Sequence, residues 1–156
     1  DKMINQMNRV IDGEVIKKAK EKGMSINEVL TLASVVQMEA GLDTEGMSKV
    51  AAVFYNRLAA DGKLGSSPTC YYGDSFKNDD ERYDTYKIKG LPPGPLCSPG
   101  KEAIKAVLYP EENFSDYLYF VTDKNGKFYF HKTYAEQTAT VNRLKQEGNW
   151  IYEYFD

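Results

Sequence analysis

The chain has little of what metal sites and disulfide scaffolds are built from, with two cysteines and one histidine among its 156 residues. Cys70 and Cys97 fit neither the spacing of a zinc site nor a disulfide-rich scaffold. Two free thiols are the default expectation, and one disulfide in an oxidising compartment is the alternative that spacing leaves open. His131 has no serine or cysteine neighbour with which to form a triad, so a structural role is favoured.

Charge of one sign and long apolar runs are also scarce. The formal net charge is −3 and no block of lysine and arginine occurs, which argues against nucleic acid as the main partner. No apolar stretch approaches the length of a membrane span, and no segment resembles a signal peptide. Because the chain begins with Asp1, we expect a processed form or an excised fragment, whose upstream anchor or domain would lie outside this sequence.

Tyrosine, by contrast, is plentiful, with 12 residues in a chain long enough for one domain with a hydrophobic core. A tyrosine presents a flat apolar face and a polar tip, which suits sugar rings as well as a protein core. The competing interpretation is that most of these tyrosines pack in the core with their hydroxyl groups exposed to solvent. The apolar and charged fractions, 42% and 28%, are those of ordinary globular proteins, which disfavours disorder and a coiled coil.

Three helices are predicted before the middle of the chain. An amphipathic helix over residues 2–23 ends at Gly23. Ser25 and Glu28 form the capping-box signature that starts a second helix. A third helix ends at Gly62. Asp43 or Thr44 is expected to cap this helix. Val50, Phe54 and Leu58 are expected to form its inner face.

An irregular stretch follows from Lys63 to Gly100, rich in glycine, proline, serine, tyrosine and aspartate. Irregular segments of this length in a compact domain are usually functional. Pro92, Pro93 and Gly94 belong to a part of it in which prolines stiffen the backbone and glycines permit sharp turns, as a pre-organised cleft loop requires. A well-built structural connection is the alternative.

Regular structure resumes at Ser98-Pro99, which is predicted to start a helix that stops before Pro110. Two apolar-aromatic runs, YLYFVT and KFYFH, flank the sequence DKNG and predict a β-hairpin. Thr133 and Glu136 form a second capping box that starts a final helix. This order of elements predicts an α+β fold: a helix-rich domain with a small antiparallel sheet and a long Pro/Gly-rich cleft loop.

Glu39 lies where the second helix should present an apolar surface. It recurs with Leu32, Val35 and Val36 at three- and four-residue spacing, so these side chains share one face. A carboxylate on that face is partly desolvated, which raises its pKa and lets it hold a proton near neutral pH, as a general acid must. The competing interpretation is a glutamate near a helix end that turns out to solvent.

Two side chains of the third helix are candidate ligands for a sugar. The Asn56 amide offers both a donor and an acceptor, which suit hydroxyl and N-acetyl groups. Arg57 is expected to pair with a carboxylate of the substrate or with Glu39. The alternatives are an Asn56 that caps a loop and an Arg57 on the surface.

Six blocks of sequence occur in the order LASVVQMEA, VAAVFYNRL, SSPT-x-YYG, YDTYKIKGLPPGP, SPG-x-EAIKA and DYLYFVTD. Together they resemble the YceG-like (MltG) family of endolytic murein transglycosylases, from about Leu30 to Val141. The GLPPGP block with the preceding Tyr-x-Thr-Tyr is the most specific part. Ser67, Asp84 and Gln137 depart from the family pattern, in which aspartate, asparagine and histidine are common at these positions.

This resemblance implies that Glu39 is the catalytic glutamate and that the substrate is the β-1,4 bond between N-acetylmuramic acid and N-acetylglucosamine in peptidoglycan glycan strands. It implies a catalytic domain over 25–156, after an N-terminal helix over 1–24 that connects to an upstream region. It also implies an extracytoplasmic protein at the outer face of the cytoplasmic membrane, anchored by an N-terminal span absent from this sequence. Peptidoglycan synthases are a further expected class of partner.

A lytic transglycosylase can work with one carboxyl group, whereas hydrolytic glycosidases generally need two. Glu39 is expected to protonate the glycosidic oxygen and then to take a proton from the C6 hydroxyl of the muramic acid, which closes a 1,6-anhydro ring without metal or other cofactor. Thr69, Asn56 and Tyr86 are expected to orient the sugar. The alternatives are a hydrolytic muramidase, with Asp84 as a distant candidate for its second carboxylate, and a non-catalytic glycan-binding module.

Overall fold

The fold is given by a computed structural model that describes residues 11–41, 43–72, 76–77 and 80–151. Helices predominate, and the strands form two antiparallel two-stranded sheets, so the predicted α+β class is confirmed. The elements are α1 (Gly13–Glu21), α2 (Ile26–Ala40), α3 (Thr44–Ala60), α4 (Ser67–Cys70), β1 (Tyr71–Tyr72), β2 (Phe76–Lys77), a 3-10 turn (Glu81–Tyr83), α5 (Lys101–Leu108), β3 (Tyr119–Thr122), β4 (Phe128–His131) and α6 (Tyr134–Gln146).

Helix α2 lies at the centre of the core, in contact with both α3 and α5. The predicted capping box is present: Ser25 accepts from the backbone N–H of Glu28, whose side chain accepts from the backbone N–H of Ser25. Burying each large apolar side chain contributes about 1.5–3 kcal/mol to stability. The predicted core residues Leu32, Val35, Val36, Val50 and Phe54 are all fully buried, and Leu58 packs against them partly buried.

Two helix starts differ from the prediction. Helix α1 begins at Gly13, because the Asp12 side chain caps it by accepting from the backbone N–H of Val15; residues 1–10 of the predicted helix lie outside the described residues. Helix α5 begins at Lys101 with Gly100 as its cap, so the predicted start at Ser98-Pro99 is wrong. The chain before it makes hydrogen bonds to α2, from the Leu96 N–H to Ser34 and from the Gly100 N–H to Gln37.

Other predicted ends are confirmed. Gly23 has a left-handed backbone, with φ +70°, and closes α1. Helix α3 is capped by Asp43, and Gly62 follows its end with φ +81°. Helix α1 contacts α2 and α5, and the domain boundary placed between residues 24 and 25 stays a prediction.

The predicted hairpin is formed by β3 and β4, whose register pairs Tyr119 with His131 and Thr122 with Phe128. The Asp123 carboxylate accepts from the backbone N–H groups of two turn residues, which fixes the turn. Helix α6 packs on this hairpin, and β3 contacts α3. The hairpin therefore lies beside the C-terminal half of α3, where the site is found.

Cys70 and Cys97 are both free thiols. The Cys70 sulfur lies 3.6 Å from Asp84, and the Cys97 sulfur lies 3.7 Å from the Ser34 carbonyl oxygen. Within the described ranges, no group of three or more histidine, cysteine and acidic side chains is arranged to hold a metal ion. None of the helices described is both long and apolar enough to cross a membrane.

Candidate functional site

A cavity of about 740 Å³ lies where the C-terminal ends of α2 and α3 meet the β3 strand and the segment after α3. This volume falls within the range of ligand pockets, about 300–1,000 Å³. Both charged and aromatic side chains line it. The lining residues are Met38, Glu39, Arg57, Ala60, Asp61, Lys63, Leu64, Gly65, Ser67, Pro68, Tyr86, Leu118, Tyr119, Phe120, Val121, Thr122, Tyr134, Gln137, Trp150 and Ile151.

Glu39 brings a carboxyl group into this cavity from the last turn of α2. The side chain is partly buried, and its Oε1 accepts a hydrogen bond of 2.6 Å from the hydroxyl of Ser66. Burial raises the pKa of Glu39 above its ordinary value, while the Ser66 hydrogen bond and the charge of Arg57 lower it in part. The competing interpretation, a glutamate turned out to solvent, is not what the structure has.

Residues 64–70, here called the serine segment, place Ser66 within hydrogen-bond distance of Glu39. The Ser66 backbone N–H donates to the Thr85 hydroxyl at 2.8 Å, and the Thr69 hydroxyl donates to the Ser66 carbonyl oxygen at 2.7 Å. The Gly65 N–H donates to the Thr85 carbonyl oxygen at 3.0 Å. Ser66, Thr69 and Thr85 are each at most 1% exposed, so these polar groups are satisfied inside the protein.

Arg57 fixes the start of the serine segment from α3. Its Nη1 donates to the carbonyl oxygens of Leu64 at 2.8 Å and Gly65 at 3.2 Å, and its Nε donates to that of Leu118 at 2.7 Å. The guanidinium also lies 5.3 Å from the centre of the Phe120 ring. Arg57 is thus not a surface residue, and it acts on Glu39 through its charge while its hydrogen bonds go to the main chain.

Asn56 and Thr69 lie outside the lining of the cavity. The Asn56 amide nitrogen donates to the carbonyl oxygens of Phe114 at 2.7 Å and Tyr117 at 2.9 Å, so it braces the loop before β3. Thr69 is buried behind Ser66. Direct contact of either with a sugar therefore stays a prediction, and this geometry gives both a supporting position.

Residues 91–100, here called the proline segment, also lie outside the lining of the cavity. They follow α2 towards its C-terminus: Asn27 donates to the Pro93 carbonyl oxygen, Leu96 N–H donates to Ser34 Oγ, and Gly100 N–H donates to Gln37 Oε1. Pro92, Pro93 and Gly94 were predicted to bind substrate as part of a cleft loop. The structure does not place them in the lining of this cavity, and their contact with a substrate stays a prediction.

Comparison with known proteins decides the family. The model of the YceG-like family matches residues 1–143. The chain belongs to the YceG-like family. An endolytic murein transglycosylase from Bacillus subtilis (strain 168) is 36% identical over 156 residues, which cover 94% of this chain and 42% of that protein. The protein of the same name from Streptococcus pneumoniae serotype 2 (strain D39 / NCTC 7466) is 36% identical over 137 residues, covering 78% and 24% respectively.

A solved structure agrees with this assignment. The crystal structure of a YceG-like protein from Listeria monocytogenes superposes with a TM-score of 0.71 at 37% identity, covering 81% of this chain and 44% of that chain. The chain therefore spans less than half the length of each of these relatives.

Tyr86 lines the cavity, and its contact with a sugar stays a prediction. It is 53% exposed, and its hydroxyl lies 2.8 Å from the Ser67 hydroxyl. Ser67 and Gln137, which depart from the YceG-like pattern, line the same cavity. Asp84, the third departure, does not: its carboxylate accepts from the Tyr86 N–H and pairs with Lys87 at 3.5 Å.

Several residues of this site were not predicted. Ser66 forms the hydrogen bond to Glu39, and Asp61 supplies a second carboxylate to the cavity. Sequence periodicity could have indicated Asp61, because it lies one helical turn beyond Arg57. A lone serine in an irregular segment gives no such signal. The aromatic members of the lining that were missed are Tyr119, Phe120, Tyr134 and Trp150.

Proposed function

We propose that this chain is the catalytic part of an endolytic lytic transglycosylase that cleaves peptidoglycan glycan strands. The observation that carries the proposal is Glu39, a carboxyl group with a raised pKa at the edge of a cavity large enough for sugar rings. Membership of the YceG-like family supports it, because two relatives bear the name endolytic murein transglycosylase.

Glu39 begins the reaction as a neutral acid. It donates its proton to the oxygen between N-acetylmuramic acid and N-acetylglucosamine, and the bond from that oxygen to C1 of the muramic acid breaks. The charge of Arg57 favours the carboxylate that is left, which keeps the acid able to release its proton. Positive charge then develops at C1, as in other glycosidic cleavages.

The same carboxylate completes the reaction. It takes the proton from the C6 hydroxyl of the muramic acid while that oxygen bonds to C1, which closes a 1,6-anhydro ring and restores neutral Glu39. No water is consumed, and one carboxyl group serves both steps. The exposed faces of Tyr86 and Tyr134 at the cavity are suited to pack against neighbouring sugar rings.

The place of action follows from the substrate. A protein that cleaves murein strands acts outside the cytoplasmic membrane, and we propose this location for the protein to which the chain belongs. An N-terminal membrane anchor and peptidoglycan synthases as partners are further parts of this proposal that rest on the family resemblance.

Digestion of purified glycan strands with this chain, followed by mass spectrometry of the new ends, tests the reaction. The proposal expects muramic acid ends that are lighter by one water than the ends left by hydrolysis. Ends of full hydrolytic mass would overturn the transglycosylase, and strands that stay intact in the presence of bound protein would favour a non-catalytic binding module.

A hydrolytic muramidase is the second candidate, because Asp61 lines the same cavity as Glu39. Hydrolysis with inversion needs a base that activates water on the far side of the sugar ring. The Asp61 carboxylate accepts the backbone N–H of Lys63 at 2.9 Å, which fixes its orientation. Under this alternative D61N would abolish cleavage, whereas the transglycosylase expects the anhydro product to be formed by D61N as well.

A further inference from the structure

We propose that Ser66 is a positioning residue that donates its hydroxyl proton to Oε1 of Glu39 and so leaves Oε2 to carry the proton that is transferred to the substrate. The inference rests on the proposed function, in which Glu39 is the acid. It assigns a role to a residue that lies 27 positions away from Glu39 in the sequence.

The direction of this hydrogen bond follows from what surrounds the hydroxyl. Ser66 is 1% exposed, and its side chain has Glu39 Oε1 at 2.6 Å. Among the described residues, no other acceptor is bonded to the Ser66 hydroxyl. If Glu39 donated through Oε1 instead, the Ser66 hydroxyl hydrogen would be buried without a partner, which costs about 1–3 kcal/mol. Donation by Ser66 avoids this cost in both protonation states of Glu39.

The backbone around Ser66 keeps the hydroxyl in this position. Thr85 accepts from the Ser66 N–H at 2.8 Å, and the Thr69 hydroxyl donates to the Ser66 carbonyl oxygen at 2.7 Å. The two threonine hydroxyl oxygens are themselves 2.8 Å apart. All three residues are buried, so a shift of the Ser66 backbone away from Glu39 would break several internal hydrogen bonds.

The second oxygen of Glu39 is in a different environment. None of the described residues donates a hydrogen bond to Oε2, and Glu39 lines the cavity. A proton on Oε2 is therefore the one that a substrate can receive, while Ser66 stabilises the carboxylate that remains.

S66A tests this assignment, with the Glu39 carboxyl observed directly. Carbon-13 label in glutamate side chains gives a titration curve for each carboxyl by NMR, and E39Q identifies the Glu39 signal. Donation from Ser66 favours the ionised form of Glu39. The Glu39 carboxyl should therefore titrate at higher pH in S66A than in the parent chain. The high-pH limb of the cleavage profile should move in the same direction, with kcat lowered about tenfold or more and KM little changed.

Two further variants separate positioning from folding. S66C keeps most of the side-chain volume but is a weaker donor, so it should shift the titration even if S66A folds poorly. S67A changes the adjacent hydroxyl, which bonds Tyr86 and not Glu39, and should leave the Glu39 titration in place.

The results also distinguish this inference from the proposed function. A Glu39 carboxyl that titrates at the same pH in S66A, S66C and the parent chain overturns the inference, whatever the activity. A shifted titration in a chain that cleaves no glycan supports the role of Ser66 in setting the proton on Glu39 and overturns the proposed reaction instead.

Discussion

Two segments of the chain lie against α2, and they differ in how their shape is fixed. The proline segment, residues 91–100, follows the helix through hydrogen bonds to Asn27, Ser34 and Gln37. The serine segment, residues 64–70, contacts α2 through Ser66 and Glu39 and lines the cavity. Its shape comes from distant side chains, chiefly Arg57 and Thr85.

The difference shows that a stiff backbone composition does not by itself locate a site. Prolines restrict the proline segment locally, and it serves as a connection into α5. The serine segment has a single proline, yet buried hydrogen bonds hold it in one conformation beside the acid. Predictions that treat the two segments differently therefore test this account of the site.

Arg57→Ala should give the largest effect. It removes three charge-assisted hydrogen bonds to main-chain carbonyl oxygens, two of them in the serine segment. We expect the free energy of unfolding to fall by about 3 kcal/mol or more. In hydrogen exchange, the amides of Gly65 and Ser66 should lose protection, while those of Leu96 and Gly100 in the proline segment should lose less.

Arg82→Ala is the matched control. Arg82 is 73% exposed and pairs with Asp80 two residues away. Its removal should change the free energy of unfolding by less than about 1 kcal/mol. A loss of stability in R82A equal to that in R57A would contradict the role given to the main-chain contacts of Arg57.

Thr85→Val and Ser34→Ala compare one hydrogen bond in each segment. Thr85→Val removes the acceptor for the Ser66 N–H, and Ser34→Ala removes the acceptor for the Leu96 N–H. Each should lower the free energy of unfolding, by about 1–3 kcal/mol for T85V, whose lost partner leaves a buried donor, and by less for S34A, whose donor is partly buried. Only T85V should lower the rate of glycan cleavage when the two folded variants are compared. Equal losses of activity would show that the proline segment belongs to the site.

Glu39→Gln should alter how stability depends on pH. Because burial raises the pKa of Glu39 in the folded state, folding takes up a proton over the range between the ordinary and the raised value. This contribution to stability is full below the ordinary value of 4.5 and is lost as pH rises through the raised value. E39Q should therefore be more stable than the parent chain near neutral pH, by about 1 kcal/mol, with a smaller difference in acid.

Urea unfolding of both chains across this pH range measures the difference. Glu112→Gln, at an exposed position, controls for the loss of one surface charge. A stability difference between E39Q and the parent chain that is the same in acid and at neutral pH would contradict a raised pKa for Glu39.

Pro93→Ala should have the smallest effect. Pro93 is exposed in the proline segment, and the hydrogen bond from Asn27 goes to its carbonyl oxygen, which alanine retains. Greater freedom of the unfolded chain should lower the free energy of unfolding by about 0.5 kcal/mol. Glycan binding, measured by co-sedimentation, should be unchanged; weakened binding would support the sequence prediction that this residue contacts substrate.

Local signals explain what the sequence predicted well. The capping box at Ser25 and Glu28 and the DKNG turn depend on residues a few positions apart, and both are present. Glu39 was found because a carboxylate interrupts an apolar helix face. The start of α5 was predicted wrongly, since Ser98-Pro99 resembles a helix start locally while α2 holds the chain just before it.

The partners of the site depend on contacts between distant residues, which local patterns do not contain. Ser66 is 27 positions from Glu39, and Arg57 bonds Leu118 across 61 positions. The sequence offered several equally suitable acceptors for Arg57. It therefore could not predict that Arg57 donates to main-chain carbonyl oxygens. Pro92, Pro93 and Gly94 were assigned to the cleft from composition. Composition indicates that a backbone is stiff, but it does not indicate where the segment lies in the fold.

Cleavage of glycan strands by E39Q is the measurement that tests the central claim most directly. The amide that replaces the carboxyl group in this variant keeps an acceptor for Ser66 and nearly the same shape, but it has no acidic proton to donate. With folding and strand binding shown to be intact, the account predicts that E39Q forms no anhydro ends at any pH. Continued cleavage by folded E39Q would contradict the claim that Glu39 supplies the proton.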